Sequence, residues 1–277
     1  MRRAHRGQAM VEYLIVFPLL VMLALGAVQF ALLYQAKSTL NHATFMAARH
    51  GAVKNAKDTS IKDALAAGMT PLFTFSPDLA GLAKGRAIAL IEVFNPMTMT
   101  VEIVNPTAAA ATDFGQDDPA DNTKRLIPND SLMYRSTAPG GSSGISVQDA
   151  NLLKIRVTYC AKLIVPMVNL VIYSLVNGIA GTRQLSWEWF GESTATATTP
   201  NNCSQLKDRF GETVDDVVGA AAAFGFDASF LTSALADISS AVAGLTVPGL
   251  NWTVGGYRIP ITAEAVVRMQ TPARFSK

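Results

Sequence analysis

From Tyr13 to Ala36 the chain carries no charged residue, and Leu14 to Val28 is apolar apart from Pro18 and Gly26. At about 1.5 Å per residue a helix of that length reaches ~36 Å, enough to cross a hydrocarbon core with some tilt. Pro18 removes the hydrogen bond to the Leu14 carbonyl, so a bend is expected there. The helix is not expected to stop at the membrane. Leu33, Ala36, Leu40, Ala43 and Ala47 follow steps of three and four, while Lys37, Asn41 and His42 fall off that stripe. Nothing breaks the pattern before Gly51, which suits a C-cap, with Arg49 and His50 in the last turn. The spacing thus predicts one helix over 9–50, half in the membrane and half outside it. Its small residues, and His42 and His50 with them, read as packing positions.

Further along, the period changes. Ile61, Leu65 and Met69 lie four apart and predict a helix within 53–83, ending at Thr70-Pro71. Arg86 to Phe94 and Thr98 to Val104 are β-prone runs around Asn95-Pro96-Met97, a pattern that predicts a hairpin. Thr107 to Gly144 reads as a long loop with a short strand at Leu132 to Tyr134. In Asn151 to Val165, Leu153, Ile155, Val157 and Tyr159 alternate with Lys154, Arg156 and Thr158, a half-buried strand that Pro166 ends. Met167 to Asn177 is apolar but too short to span again, and reads as a helix on the sheet or on the membrane surface. A strand is expected at Arg183 to Phe190, with Trp187 and Trp189, and a Thr-rich loop at Ser193 to Asn202. Two helical pieces follow over Gly219 to Leu245. Tyr257 to Met269 closes the chain as a strand, with Pro260 marking an edge or a bulge. The expected class is α+β: a long N-terminal transmembrane helix continuing into a head with a mainly antiparallel sheet packed by helices.

Charge sets the orientation. Arg2, Arg3 and Arg6 crowd the front of the span, and behind it only Lys37 is charged before Arg49. That bias predicts a cytoplasmic N-terminus and an extracytoplasmic head. The net charge is +2, but without residues 1–7 the chain has 20 basic and 21 acidic residues. The basic excess is therefore a targeting device and points to no nucleic-acid partner. The remaining residues, about 240, are enough for one large or two small domains. No nucleophile elbow, phosphate loop or paired metal ligands occur among the 277 residues, so neither an enzyme nor a cofactor is expected. An ordinary secretory signal, cleaved after Ala24-Leu25-Gly26, is an alternative. The apolar run continues too far beyond its h-region to favour it.

One acid breaks the anchor pattern. Glu12 lies at the mouth of the apolar run, before Tyr13 and five positions after Gly7. A carboxylate there is costly unless it snorkels or meets a positive partner. The run Gly7-Gln-Ala-Met-Val-Glu12-Tyr13 resembles the prepilin-peptidase site of Flp-type (tight-adherence, Tad) pilins. Thr44 to Ala52, with its alanine-rich AAR-GA segment, resembles the TadE-like domain. The resemblance implies cleavage between Gly7 and Gln8, and an assembly role for Glu12 and Tyr13. The glutamate would face the freed amine of a neighbouring subunit, from the first turn of its helix. It also implies three parts: a cytoplasmic leader (1–7), a TadE-like transmembrane and extended helix (8–52) and an extracytoplasmic head (53–277). The partners it implies are the prepilin peptidase, other pilins, Tad inner-membrane assembly proteins and inner-membrane lipid. Larger TadG relatives carry a von Willebrand A metal site, but Asp227-Ala228-Ser229 and Asp237-Ile238-Ser239 lack its third ligand.

These features lead to an expected minor pilin or pseudopilin, set in the bacterial inner membrane and able to enter an extracellular pilus. The alternatives are an uncleaved, anchored periplasmic scaffold or binding protein of the secretion machinery, and an envelope enzyme of unrecognised type. The two cysteines, Cys160 and Cys203, would sit in an oxidising compartment, where an even count favours a bridge. Closing that loop is worth roughly 3–4 kcal/mol in the loop-entropy model. A buried Cys160 with a free surface Cys203 is the other arrangement.

Overall fold

The computed structural model describes residues 8–119, 121–178, 203 and 256–276. The expected strand at 183–190, the Thr-rich loop at 193–202 and the helical pieces at 219–245 lie outside the described residues.

The apolar run and the alanine stripe form one 46-residue helix, α1 (Gln8–Val53), which continues through Pro18. Along the stripe Ala36, Leu40, Ala43 and Ala47 are 7% exposed or less, and Leu33 at its start is half-buried. Gly51 is not the cap. It lies inside the helix, where an added Cβ would come within 2.6 Å of Ile61 Cγ1 and 3.0 Å of Leu153 Cδ2. A side chain has no room where α1 meets α2 (Asp58–Phe73) and the sheet. The reversal is made instead by Asn55 and Ala56, both in the left-handed region, with the Ala56 N–H donating to the Gly51 carbonyl at 2.9 Å. Asn55 also ties the turn to the C-terminal segment, donating its side-chain amide to the Pro272 carbonyl at 2.8 Å. His42 and His50, expected at packing positions, are exposed; His50 Nδ1 lies 3.1 Å from the Ser60 carbonyl.

α2 carries Ile61, Leu65 and Met69 into the core and runs past Pro71 to Phe73. Next comes the largest departure from the sequence reading. Arg86 to Phe94 is no strand: it is the second half of helix α3 (Leu79–Phe94), capped by Asp78, whose side chain accepts from the Gly81 N–H at 3.1 Å. A segment buried nearly all round has no wet face to give a period, so its apolar run is equally compatible with either structure. The expected hairpin therefore does not form. β1 (Met99–Asn105) pairs instead with β4 (Leu152–Lys162), in register from Met99 opposite Tyr159 to Ile103 opposite Ile155.

β4 is the middle of a three-stranded antiparallel sheet, β1-β4-β5, in which β5 (Arg258–Arg268) is an edge. Pro260 stands on that edge strand, opposite Cys160, where a missing N–H costs least. The face bearing Leu153, Ile155, Val157 and Tyr159 joins Leu40, Ala43 and Ala47 of α1 in the main core. The other face is charged: Arg156 Nε donates to Glu264 Oε1 at 2.5 Å, and Lys154 Nζ lies 3.0 Å from Glu264 Oε2.

Residues 107–144 are more ordered than their composition suggests. They contain α4 (Ala108–Phe114), β2 (Gln116–Asp118) and β3 (Asp121–Ile127), and β3 pairs with the C-terminal β6 (Ala273–Ser276) in a second antiparallel sheet. A small core of Ala110, Ala111, Ile127 and Leu132, with Val147 and Ala150 of α5 (Val147–Ala150), holds this region. The Gly/Ser turn is gathered by Asp113, which accepts from the backbone N–H of Ser142 and of Ser143. The expected strand at Leu132–Tyr134 is a single 3-10 turn with Met133 and Tyr134 exposed. The Met167 to Asn177 stretch is helical, as α6 (Val168–Gly178). The fold is α+β.

Candidate assembly helix and its attachment to the head

α1 has two environments. Along its first part Leu14, Ile15, Leu19, Leu20 and Leu23 are 60–72% exposed, and this part is long and apolar enough to cross a membrane. Exposed side chains of this size lose their contact with water only in lipid or against other helices. Along its last part small residues allow backbones to meet. At the crossing of α1 and α2 a Cβ on Gly68 would stand 2.7 Å from Ala43 Cα.

Glu12 is exposed and is the fifth residue of α1, beyond its first turn, which contains no acid. The expected first-turn help from the helix dipole is therefore reduced, because that effect fades within a turn. Tyr13 stacks on Phe17 with ring centroids 5.3 Å apart. Gln8 is the first described residue of α1, and Gly7 lies outside the described residues. Among the described residues, Met22 and Leu25 of α1 pack against the cluster that holds α6.

The sequence reading passed over Gln29, the one amide inside the apolar run before Gln35. Gln29 is fully buried. Its Oε1 accepts from the backbone N–H of Ile164 at 3.0 Å and of Val165 at 2.8 Å. These belong to the loop between β4 and α6, whose donors have no ladder partner. A polar side chain in an otherwise dry stretch was the available signal. Lys37 adds a second tether, donating to the Thr262 carbonyl of β5.

A buried ion pair fastens α3 to the sheet. Arg258 and Glu92 are both 0% exposed, with Arg258 Nη2 to Glu92 Oε1 at 2.7 Å and Nη1 to Oε2 at 2.9 Å. Nη1 also donates to the Cys160 carbonyl at 2.9 Å. Burial works against the Arg258 charge, but the attraction and hydrogen bonds of Glu92 outweigh it and raise the guanidinium pKa. Burial, and then the Glu92 charge, push the Tyr159 hydroxyl well above its ordinary value. A lone acid inside an apolar run at 86–94 could have signalled such a partner, had the run been read as a helix.

Cys160 and Cys203 are bridged, with Cα atoms 5.4 Å apart and a sequence separation of 43. A loop of that length is worth about 4 kcal/mol in the loop-entropy model. Among the described residues no group of His, Cys, Asp and Glu is placed to hold a metal ion.

Comparison with known proteins gives one match. Residues 7–49 match a family model described as TadE-like protein. The match covers almost all of α1 and none of the sheet. No curated protein matches the chain, and no solved structure does.

Proposed function

With residues 7–49 TadE-like, and the chain thereby associated with Tad pili, we propose that it acts as a minor pilin or pseudopilin of a tight-adherence pilus. Its N-terminus is cytoplasmic and its head periplasmic. The prepilin peptidase cuts between Gly7 and Gln8, and α1 stays in the inner membrane until it joins a filament or primes one. Assembly runs through the exposed first part of α1, by packing against other pilins and Tad inner-membrane proteins. Glu12 meets the new amine of a neighbouring subunit, a low-dielectric pairing in which losing one partner costs about 3–5 kcal/mol. The head supports biogenesis, adhesion or secretion through its surface.

One observation carries this reading. A single helix is apolar and exposed at one end, and built into a folded head at the other. Such a rod can pass its free end from lipid to neighbouring helices while the head keeps its fold. A second reading, an uncleaved anchored scaffold, is favoured by the seating of α6 on Met22 and Leu25, which ties head and span together.

The mature N-terminus separates the two. Sequencing of protein from envelopes of cells with an active peptidase should begin at Gln8. A start at Met1 sinks the pilin reading, and one near Ala27 indicates a signal peptide. Recovery of the major pilin in detergent pull-downs should fall sharply for Glu12→Ala at matched expression. A plain anchor would give equal recovery.

A further inference from the structure

α6 carries no charged residue, and its inward face is settled. Val168, Ile172 and Tyr173 pack with Leu163, Val165 and Ile259 against Met22, Leu25, Leu32 and Leu33 of α1. The outward face is apolar as well. Leu170, Val171 and Leu175, with Met167 just before the helix, are 47–67% exposed, and Ile164 in the preceding loop is 61% exposed. Among the described side chains of that face Ser174 is polar, and it donates its hydroxyl to the Val171 carbonyl at 3.0 Å.

Depth along α1 identifies what covers this face. With Glu12 at one border, a hydrocarbon core of about 30 Å takes about 20 residues at ~1.5 Å each and ends near Leu32. The α1 residues under α6 run from Met22 to Leu33, within the far half of that core. The exposed face of α6 thus stands at the depth of the exposed span residues Leu23, Val28 and Phe30.

The loop leading into α6 fits the same solvent. Backbone donors at membrane depth must find partners inside the protein. Here the Leu163 N–H donates to the Tyr257 carbonyl at 2.9 Å, and those of Ile164 and Val165 go to Gln29. A polar side chain in the span thus satisfies donors that water would have served outside the membrane.

We infer that α6 and Ile164 are embedded in the outer half of the bilayer, with Leu170, Val171 and Leu175 against acyl chains, so that the head is seated in lipid rather than held above it on a stalk. This rests on α1 crossing the membrane, and not on the pilin assignment. It also bears on assembly: leaving the membrane would uncover this face, so extraction would have to bring a neighbouring subunit onto it.

The test is spin-label depth measurement on the full chain in vesicles of phosphatidylethanolamine and phosphatidylglycerol. Single cysteines are placed by Val171→Cys and Leu175→Cys, with Leu20→Cys as the span control and Met133→Cys as the water control. All four sites are at the surface, so the variants keep the core and the native bridge. Labels at 171 and 175 should collide with dissolved oxygen about as often as the label at 20. Their collisions with an aqueous nickel chelate should be several-fold rarer than at 133. Nickel access at 171 and 175 equal to that at 133, with 20 protected, overturns the inference and leaves the span intact. Low access to both reagents means that protein covers the face, and overturns it too. Nickel access at 20 removes the premise and the inference together.

Discussion

The two parts of α1 differ in hydropathy, since Lys37, Asn41, His42, Arg49 and His50 interrupt the second, and they are opposite in construction. From Leu14 to Leu20 it displays large side chains that stay exposed. From Ala36 to Ala52 it is built from small ones that disappear, with Ala43, Ala47, Ala48 and Ala52 all at 0%. A large apolar side chain gains most from removal from water, by lipid as well as by protein. A small one gains little by area, but it lets another backbone come close, and dispersion contacts then accumulate. Residue size, together with apolarity, tells which part of a long helix meets lipid and which meets its own head.

The strongest way to break the contrast is to remove the platform beneath the head part. Arg258→Leu leaves the Glu92 carboxylate buried without its guanidinium. The head should lose about 3–5 kcal/mol, read from denaturant unfolding in detergent. Membrane insertion, followed by alkaline extraction, should not change, because the first part of α1 needs no sheet. Adding Glu92→Leu should restore much of the loss, since two apolar groups leave no stranded charge. A double variant as unstable as the single one would mean that the pair does more than neutralise itself.

A smaller effect sharpens the comparison within α1 itself. Ala43→Leu adds three carbons where Gly68 already touches the helix, and overpacking of this kind costs about 1–3 kcal/mol. Leu20→Ala, a change of the same size in the opposite direction, should leave head unfolding unchanged. Equal losses from both would remove the distinction between the two parts.

The smallest expected effect lies on the far face of the sheet. Hydrogen bonds from Arg156 and Lys154 hold the Glu264 carboxyl below the ordinary glutamate range. The stability this gives is present above that range and is lost as pH falls through the lowered folded value. Because the pair is well exposed, solvent screening keeps it under about 1 kcal/mol. Glu264→Gln should flatten that part of the acid limb slightly, while Arg258 and the α1 contacts still hold the fold at neutral pH. A large acid shift would place more weight on the charged face than its exposure allows.

Several features were legible along the chain because they are local. A run without charge from Tyr13 to Ala36 can only be dry, and an alanine stripe at helical steps can only face one way. Alternation fixed the inward face of β4, and Pro260 marked an edge strand. The cysteines pointed to a bridge by their even count, and the structure pairs them. Other features depended on distant partners. Residues 86–94 are helical because Asp78 starts a helix and because β4 takes β1 as its neighbour; an apolar run buried on all sides carries no period of its own. Residues 107–144 looked like loop because a core of two alanines, one isoleucine and one leucine is nearly silent in composition. Gly51 looked like a cap, but it is glycine because Ile61 and Leu153 crowd it. Gln29 and Glu92 read as ordinary polar residues until the loop before α6 and Arg258 came to them from more than a hundred residues away. Such pairings are set by which chain segments meet, and desolvation makes them count only once they have met.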